Sequence, residues 1–145
     1  MRILVTGGLG AVGRPLVGEL RARGHEVWIA DRGHHHDPHY IRMDVSEYRQ
    51  VERALSAAPF ELVYHLAAEF GRWNGEDYYE TMWRTNVIGT KHIIRLQERL
   101  GFRMVFASSS EVYGDYRGVM TEDVLERVPI RQMNDYAISK WVNEL

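Results

Sequence analysis

The sequence predicts an α/β fold, a doubly wound and mostly parallel sheet flanked by helices. Three observations carry that expectation: short apolar runs alternate with stretches of helical spacing, a glycine-rich turn directly follows the first run, and the second run ends on an acidic residue, Asp31. The 145 residues suit one domain, and a 45% hydrophobic fraction fills an ordinary core. A formal net charge of -2, with 18 basic against 20 acidic residues mixed along the chain, offers no basic stripe for nucleic acid. The absence of cysteine excludes a disulfide framework and a thiolate nucleophile. No apolar run approaches the roughly 20 residues that cross a bilayer. Arg2 leads at once into a strand-like run rather than a signal peptide, so the expected location is cytoplasmic.

Ile3-Leu4-Val5 reads as the first strand and Thr6 to Gly13 as a tight turn. Val12, Leu16, Val17 and Leu20 then recur at helical spacing until Gly24, a plausible C-cap. Val27 to Ala30 is the second strand and completes a βαβ unit. A polar loop from His34 to His39 leads to a weak third strand, Tyr40 to Met43, and a helix from Glu47 to Ala57. Leu62 to Ala68 is the fourth strand, followed by a loop rich in Gly, Trp and Tyr up to about Tyr79. From Thr85 to Leu100 an amphipathic helix would bury Val87, Ile88, His92, Ile94, Leu96 and Leu100, and Arg103 to Ser108 is the fifth strand. Runs of this kind indicate a parallel sheet covered on both faces.

The stretch from Gly114 to Asp135 has no period and is long for a connection, which suggests a functional loop. Tyr136 opens a last helix in which Ile138, Trp141, Val142 and Leu145 would face inward. A crossover helix normally delivers another strand, and none follows. The expectation is therefore one nucleotide-binding domain over residues 1–145, incomplete on its C-terminal side and lacking a substrate-binding domain. A naturally short binding domain is the alternative.

Gly8, Gly10 and Gly13 satisfy G-x-G-x-x-G, and Gly7, Gly10 and Gly13 fit G-x-x-G-x-x-G. Such glycines let a pyrophosphate approach the backbone and let the helix pack near the strand, and the helix N-terminus attracts an anion. A plain structural turn is the competing reading of the glycines alone. Their context favours a dinucleotide: strand, turn, helix, second strand, and Asp31 placed 23 residues after Gly8 to accept hydrogen bonds from a ribose. A carboxylate there would repel a 2′-phosphate and favours NAD, although Arg32 beside it could receive one.

Tyr136 and Lys140 stand four apart, on one helix face, where the ammonium is expected to stabilise a phenolate and lower the tyrosine pKa. Alone, the pair could be a solvated helix surface. Ser108, Ser109, Ser110 and Glu111 add three hydroxyls and a carboxylate at the end of a central strand, where open α/β sheets place their chemistry.

Taken together, Thr6 to Gly13, Asp31, Asp44-Val45, His65-Leu66-Ala67-Ala68, Asn86 to Thr90, Ser108 to Gly114 and Tyr136 to Lys140 resemble, in order, the extended short-chain dehydrogenase/reductase family. The likeness is to its nucleotide-sugar epimerase, dehydratase and decarboxylase group. The resemblance implies a Rossmann-type domain binding NAD through Gly7, Gly8, Leu9, Gly10, Ala11, Val12, Gly13, Asp31 and Arg32, with Asp44 and Val45 meeting the adenine. Leu66, Ala67 and Ala68 would line the cofactor and Asn86 would support the central helix. Ser109 would be the catalytic hydroxyl, Tyr136 the acid/base, and Lys140 the group that binds the nicotinamide ribose and tunes Tyr136. The implied substrate is a nucleoside-diphosphate sugar, oxidised transiently at C4. A homodimer would follow family practice.

Glu111 separates the reactions. In the family, dehydratases use a glutamate here to remove the C5 proton and uronic-acid decarboxylases retain one, whereas epimerases usually carry a small or hydroxylated residue. Dehydration or decarboxylation is therefore expected, with a structural hydrogen bond or an exposed carboxylate as the other readings of Glu111. 4-Epimerisation is the alternative, and Ser110, a poor general acid, disfavours a dTDP-glucose dehydratase. A non-catalytic nucleotide-binding or regulatory module is a further alternative. His34, His35 and His36 lack companion ligands, so no metal site is expected. His65 reads as a hydrogen-bonded core residue before a base. Trp73, Tyr78, Tyr79 and Trp83 could wall a sugar, meet a subunit or simply pack.

Overall fold

A computed structural model describes residues 1–70 and 77–145; Trp73 lies outside them. β1 (Arg2–Thr6) leads through the glycine turn into α1 (Gly13–Ala22). β2 (Glu26–Asp31), β3 (Tyr40–Arg42), α2 (Tyr48–Leu55) and β4 (Leu62–His65) follow. A helical rod then runs through α3 (Tyr79–Trp83), a π-helical stretch (Arg84–Ile88) and α4 (Gly89–Leu100), ending on Gly101 in the left-handed conformation. β5 (Arg103–Phe106), a 3₁₀ turn (Ser110–Tyr113), α5 (Val124–Arg127) and α6 (Asp135–Trp141) complete the described elements.

All strand pairs are parallel, in the order β3-β2-β1-β4-β5. The chain winds outward from β1 to β3, then crosses back to place β4 on the other side of β1. The direction of winding reverses between β1 and β4, and such a switch point opens a crevice at the strand C-termini. Side-chain alternation divides the core. Ile3, Val5, Val27 and Ile29 pack with Val17 and Leu20 of α1, while Leu4, Ala30 and Val63 pack with residues of α2 and α4 on the opposite face. The expected sheet covered on both faces is therefore present.

Four details differ from the expectations. β4 stops at His65 because the Ala67 N–H donates to Thr6 Oγ1 (3.2 Å) instead of continuing the ladder, which turns Leu66 to Ala68 towards the crevice. β5 stops at Phe106, short of Ser108. The rod begins at Tyr79 and buries Met82, Thr85, Asn86, Gly89, Thr90, Ile93 and Leu96, leaving Ile88 49% and Leu100 43% exposed. Its inner stripe contains polar side chains satisfied only in three dimensions, so apolar period selected a neighbouring face. In α6 the buried residues are Ala137, Ser139 and Lys140. Trp141, Val142 and Leu145 are exposed, and Ile138 is half-buried, because hydrogen bonds of Ser139 and Lys140 turn the polar face inward. The unpatterned stretch after Gly114 folds back on itself through Asp115, whose N–H donates to the Arg131 carbonyl (3.1 Å) and whose Oδ1 accepts the Arg131 N–H (3.0 Å). No described helix is long and apolar enough to cross a membrane.

Candidate functional site

A cavity of about 470 Å³ opens at the switch point, within the range of small-molecule sites. Gly7, Gly10, Ala11, Val12 and Gly13 form one wall, and Asp31, Arg32 and Val45 border it. Leu66, Ala67 and Ala68 line it from β4, and Tyr136 and Lys140 reach it from α6. Gly8, Leu9, Asp44, Asn86, Ser109 and Glu111 do not line it. Ser108, one of the three hydroxyls at the strand end, does line it, as do Ala30, Met43, Glu69, Phe70, Thr85 and Ala107, which were not expected. Of these, Ala107 directly precedes the serines, and Ala30, Met43, Glu69 and Thr85 each adjoin an expected residue. Phe70 carries no local signal.

The turn is shaped by close approach. Gly7 has φ +69°, and a Cβ there would stand 2.8 Å from the Ala67 nitrogen; a Cβ on Gly13 would stand 2.3 Å from the Gly7 carbonyl oxygen. Only glycine permits this contact between turn, helix start and the end of β4. Asp31 holds the turn from outside, accepting the Leu9 N–H at Oδ2 (3.0 Å) and the Gly33 N–H at Oδ1 (3.2 Å). Among the described residues, none accepts the N–H of Ala11 or Val12. Free donors at a helix start beside a glycine cradle fit a pyrophosphate. Asp44 instead organises the approach to α2, its Oδ1 accepting from the N–H (2.9 Å) and hydroxyl (2.8 Å) of Ser46.

At the opposite end Lys140 is 4% exposed, and its Nζ donates to the Ala107 carbonyl (2.8 Å) while lying 5.0 Å from the Phe106 ring centre and 5.9 Å from that of Tyr136. Burial lowers its pKa from 10.5 to about 8. The Tyr136 phenol is displaced upward, not downward as expected. Burial raises it most, the Ser109 hydroxyl beside it pulls it back, and the Glu111 carboxylate raises it further. Here Lys140 is engaged by a backbone carbonyl and does not offset burial.

Ser109 caps the 3₁₀ turn, its hydroxyl accepting the Glu111 N–H (3.2 Å), and Ser108 bonds to Glu144. Glu111 accepts from Asn134 Nδ2 (2.7 Å); Asn134 in turn caps α6, its Oδ1 accepting the Ala137 N–H (2.7 Å). Sequence reasoning missed Asn134. An Asn two residues before Tyr136, at a helix start, was the available signal.

His65 lies 1% exposed behind the cavity in a hydrogen-bond chain whose direction is determined. The Thr90 hydroxyl donates to the Asn86 carbonyl (2.6 Å), so its oxygen accepts from His65 Nε2–H (3.0 Å). His65 Nδ1 then accepts from the Thr6 hydroxyl (2.8 Å), whose oxygen accepts the Ala67 N–H. Burial, helped by the Lys140 charge, lowers the His65 pKa from 6.5 to about 3, so the ring is neutral. Asn86 extends the chain towards α6, its Nδ2 donating to Ser139 Oγ (3.1 Å) and its Oδ1 accepting the Glu69 N–H (2.8 Å).

His34, His35 and His36 are exposed, and among the described residues no group of three His, Cys, Asp or Glu side chains converges. Tyr78 and Tyr79 are exposed and Trp83 is half-buried.

Residues 3–145 match the NAD dependent epimerase/dehydratase family. The chain belongs to that family. UDP-glucuronic acid decarboxylase 4 of Arabidopsis thaliana is 35% identical over 127 residues, covering 79% of this chain and 27% of that protein. Among solved structures, MoeE5 in complex with UDP-glucuronic acid and NAD is 32% identical with a TM-score of 0.84, covering 99% of this chain and 47% of the other. The UDP-glucose 4-epimerase of Thermus thermophilus, in complex with NAD, is 29% identical with a TM-score of 0.85, covering 99% of this chain and 49% of that one. The chain thus spans about a quarter of the first curated relatives and about half of these structures.

Proposed function

We propose that the chain is the NAD-binding part of an enzyme that transiently oxidises C4 of a nucleoside-diphosphate sugar and then decarboxylates or dehydrates it. The observation that carries this reading is one cavity bordered by the glycine turn and Asp31 at one end and by Tyr136 and Lys140 at the other. In it, the Ala11 and Val12 N–H groups would meet the pyrophosphate, Asp31 would accept from the adenosine ribose, Val45 would border the adenine, and Ala67 and Ala68 would back the cofactor. Bound NAD would supply the hydride acceptor. Tyr136, as the phenolate, would take the proton of the C4 hydroxyl, Ser109 would favour that phenolate, and Lys140, whose Nζ is bonded to the Ala107 carbonyl, would supply the cation for the nicotinamide ribose.

The sequence relatives named decarboxylases favour a UDP-hexuronic acid as substrate. A second reading, 4-epimerisation, is favoured by Glu111, whose carboxylate is engaged by Asn134. The test is incubation of the intact protein, with NAD, with UDP-glucuronic acid, UDP-glucose and GDP-mannose, followed by product mass. Loss of CO₂ or of water supports the first reading and an unchanged mass with inverted C4 the second. Turnover by Tyr136→Phe within tenfold of wild type would refute the acid/base assignment, for which a fall of at least about 100-fold is expected.

A further inference from the structure

Asp31 and Arg32 make opposite statements about the cofactor: the carboxylate suits a free 2′-hydroxyl, the guanidinium a 2′-phosphate. The structure supplies a third group. Arg32 Nη2 lies 2.8 Å from Glu69 Oε1, and both residues line the cavity, one beyond the end of β2 and the other beyond β4. The two sides of this pair differ in rigidity. The Arg32 side chain is 59% exposed, whereas that of Glu69 is 19% exposed, and the Glu69 backbone is clamped at both polar groups by Asn86, its N–H donating to Oδ1 (2.8 Å) and its carbonyl accepting from Nδ2 (2.9 Å).

The backbone around Arg32 is pinned as well. The Tyr40 hydroxyl lies against the carbonyls of both Asp31 and Gly33, and Arg42 Nε donates to the Arg32 carbonyl (3.2 Å). The free variable is the direction of the Arg32 side chain, and a fixed carboxylate decides it.

We infer that Glu69 is a cofactor-selectivity residue: it occupies the Arg32 guanidinium and denies it to a 2′-phosphate, so that the site accepts NAD and rejects NADP. This rests on the reading of the cavity as a dinucleotide site. An exposed ion pair of this kind adds little to folding stability, so its consequence lies in local charge. Glu69 holds the Arg32 guanidinium while Arg42 Nε is held by the Arg32 carbonyl, so a dianionic phosphate entering beside the Asp31 carboxylate finds the guanidinium that lines the cavity already engaged.

The experiment measures dissociation constants of NAD and NADP for the intact protein and for Glu69→Gln, Arg32→Ala and the double variant, with Glu69→Ala as a second probe of the same position. In Glu69→Gln the ratio of the NADP constant to the NAD constant is expected to fall about tenfold. Arg32→Ala alone should move that ratio less than threefold, and adding it to Glu69→Gln should abolish the gain. An unchanged ratio in both Glu69 variants overturns the inference. So does a gain that survives removal of Arg32, which would reflect loss of a negative charge alone. Wild-type protein that binds neither dinucleotide refutes the underlying cofactor reading, and the selectivity inference with it. Binding of NAD with an unmoved ratio refutes the selectivity inference only.

Discussion

Acid sensitivity should carry the signature of His65. Its pKa falls from 6.5 to about 3 on folding because burial disfavours the imidazolium, with the Lys140 charge adding to the effect. In that window the unfolded chain binds a proton that the native state refuses, so stability contributed by the neutral ring is complete above about pH 6.5 and declines as pH falls towards 3. At pH 5 the ring is one and a half pH units below its unfolded pKa, which costs about 2 kcal/mol relative to pH 8. That figure requires only a native pKa well below 5. Urea unfolding of the intact protein and of His65→Asn, at pH 8, 7, 6 and 5, isolates the effect, because the difference between the two curves cancels titrations common to both. The wild type should lose about 2 kcal/mol more than the variant over this range. Parallel slopes would refute the reasoning, as would a His65 ring that protonates near pH 6.5 in the native state. Ring ¹⁵N shifts give an independent check: the Thr90 to Asn86 bond requires the Nε2–H tautomer, and an Nδ1–H signature would contradict the chain direction.

Other outcomes follow from the same contacts. Gly13→Ala places a Cβ 2.3 Å from the Gly7 oxygen and 2.6 Å from Gly8 Cα, so thermal unfolding should show a loss of about 1–3 kcal/mol, and NAD affinity should fall at least tenfold. Gly18→Ala, in the same helix but with open space around the new Cβ, should instead stabilise by about 0.5–1 kcal/mol. Unequal effects on Tyr136 separate Ser109 from Glu111. Ser109→Ala removes a group that favours the phenolate and should move the acidic limb of the kcat profile to higher pH, whereas Glu111→Gln removes a charge that opposes it and should move that limb lower. A Glu111→Gln variant that loses turnover at every pH would point to proton abstraction by Glu111 itself.

Much of the fold and one end of the site were legible in the chain. The glycine spacing, the run ending at Asp31 and the Tyr136 to Lys140 interval are local patterns, and turn chemistry and side-chain period act locally. Apolar period failed where the buried face is polar. Thr85, Asn86 and Thr90 in the rod, and Ser139 and Lys140 in α6, look like solvent-facing residues until partners on other elements satisfy them. The upward displacement of Tyr136 was likewise hidden, since desolvation depends on what covers the ring and not on its distance along the chain from Lys140.

By itself, then, the amino-acid sequence determined an α/β unit with a glycine-rich turn, an acidic residue after β2 and a tyrosine-lysine pair. The tertiary structure decided what each charge faces. Arg32 meets a carboxylate 37 residues away, His65 is locked between threonines of β1 and α4, and Lys140 rests on a carbonyl of the segment after β5. The reason is geometric. Reversal of winding at β1 brings strand ends distant in sequence to one crevice, and polar partners chosen there are a property of that proximity, which no local pattern encodes.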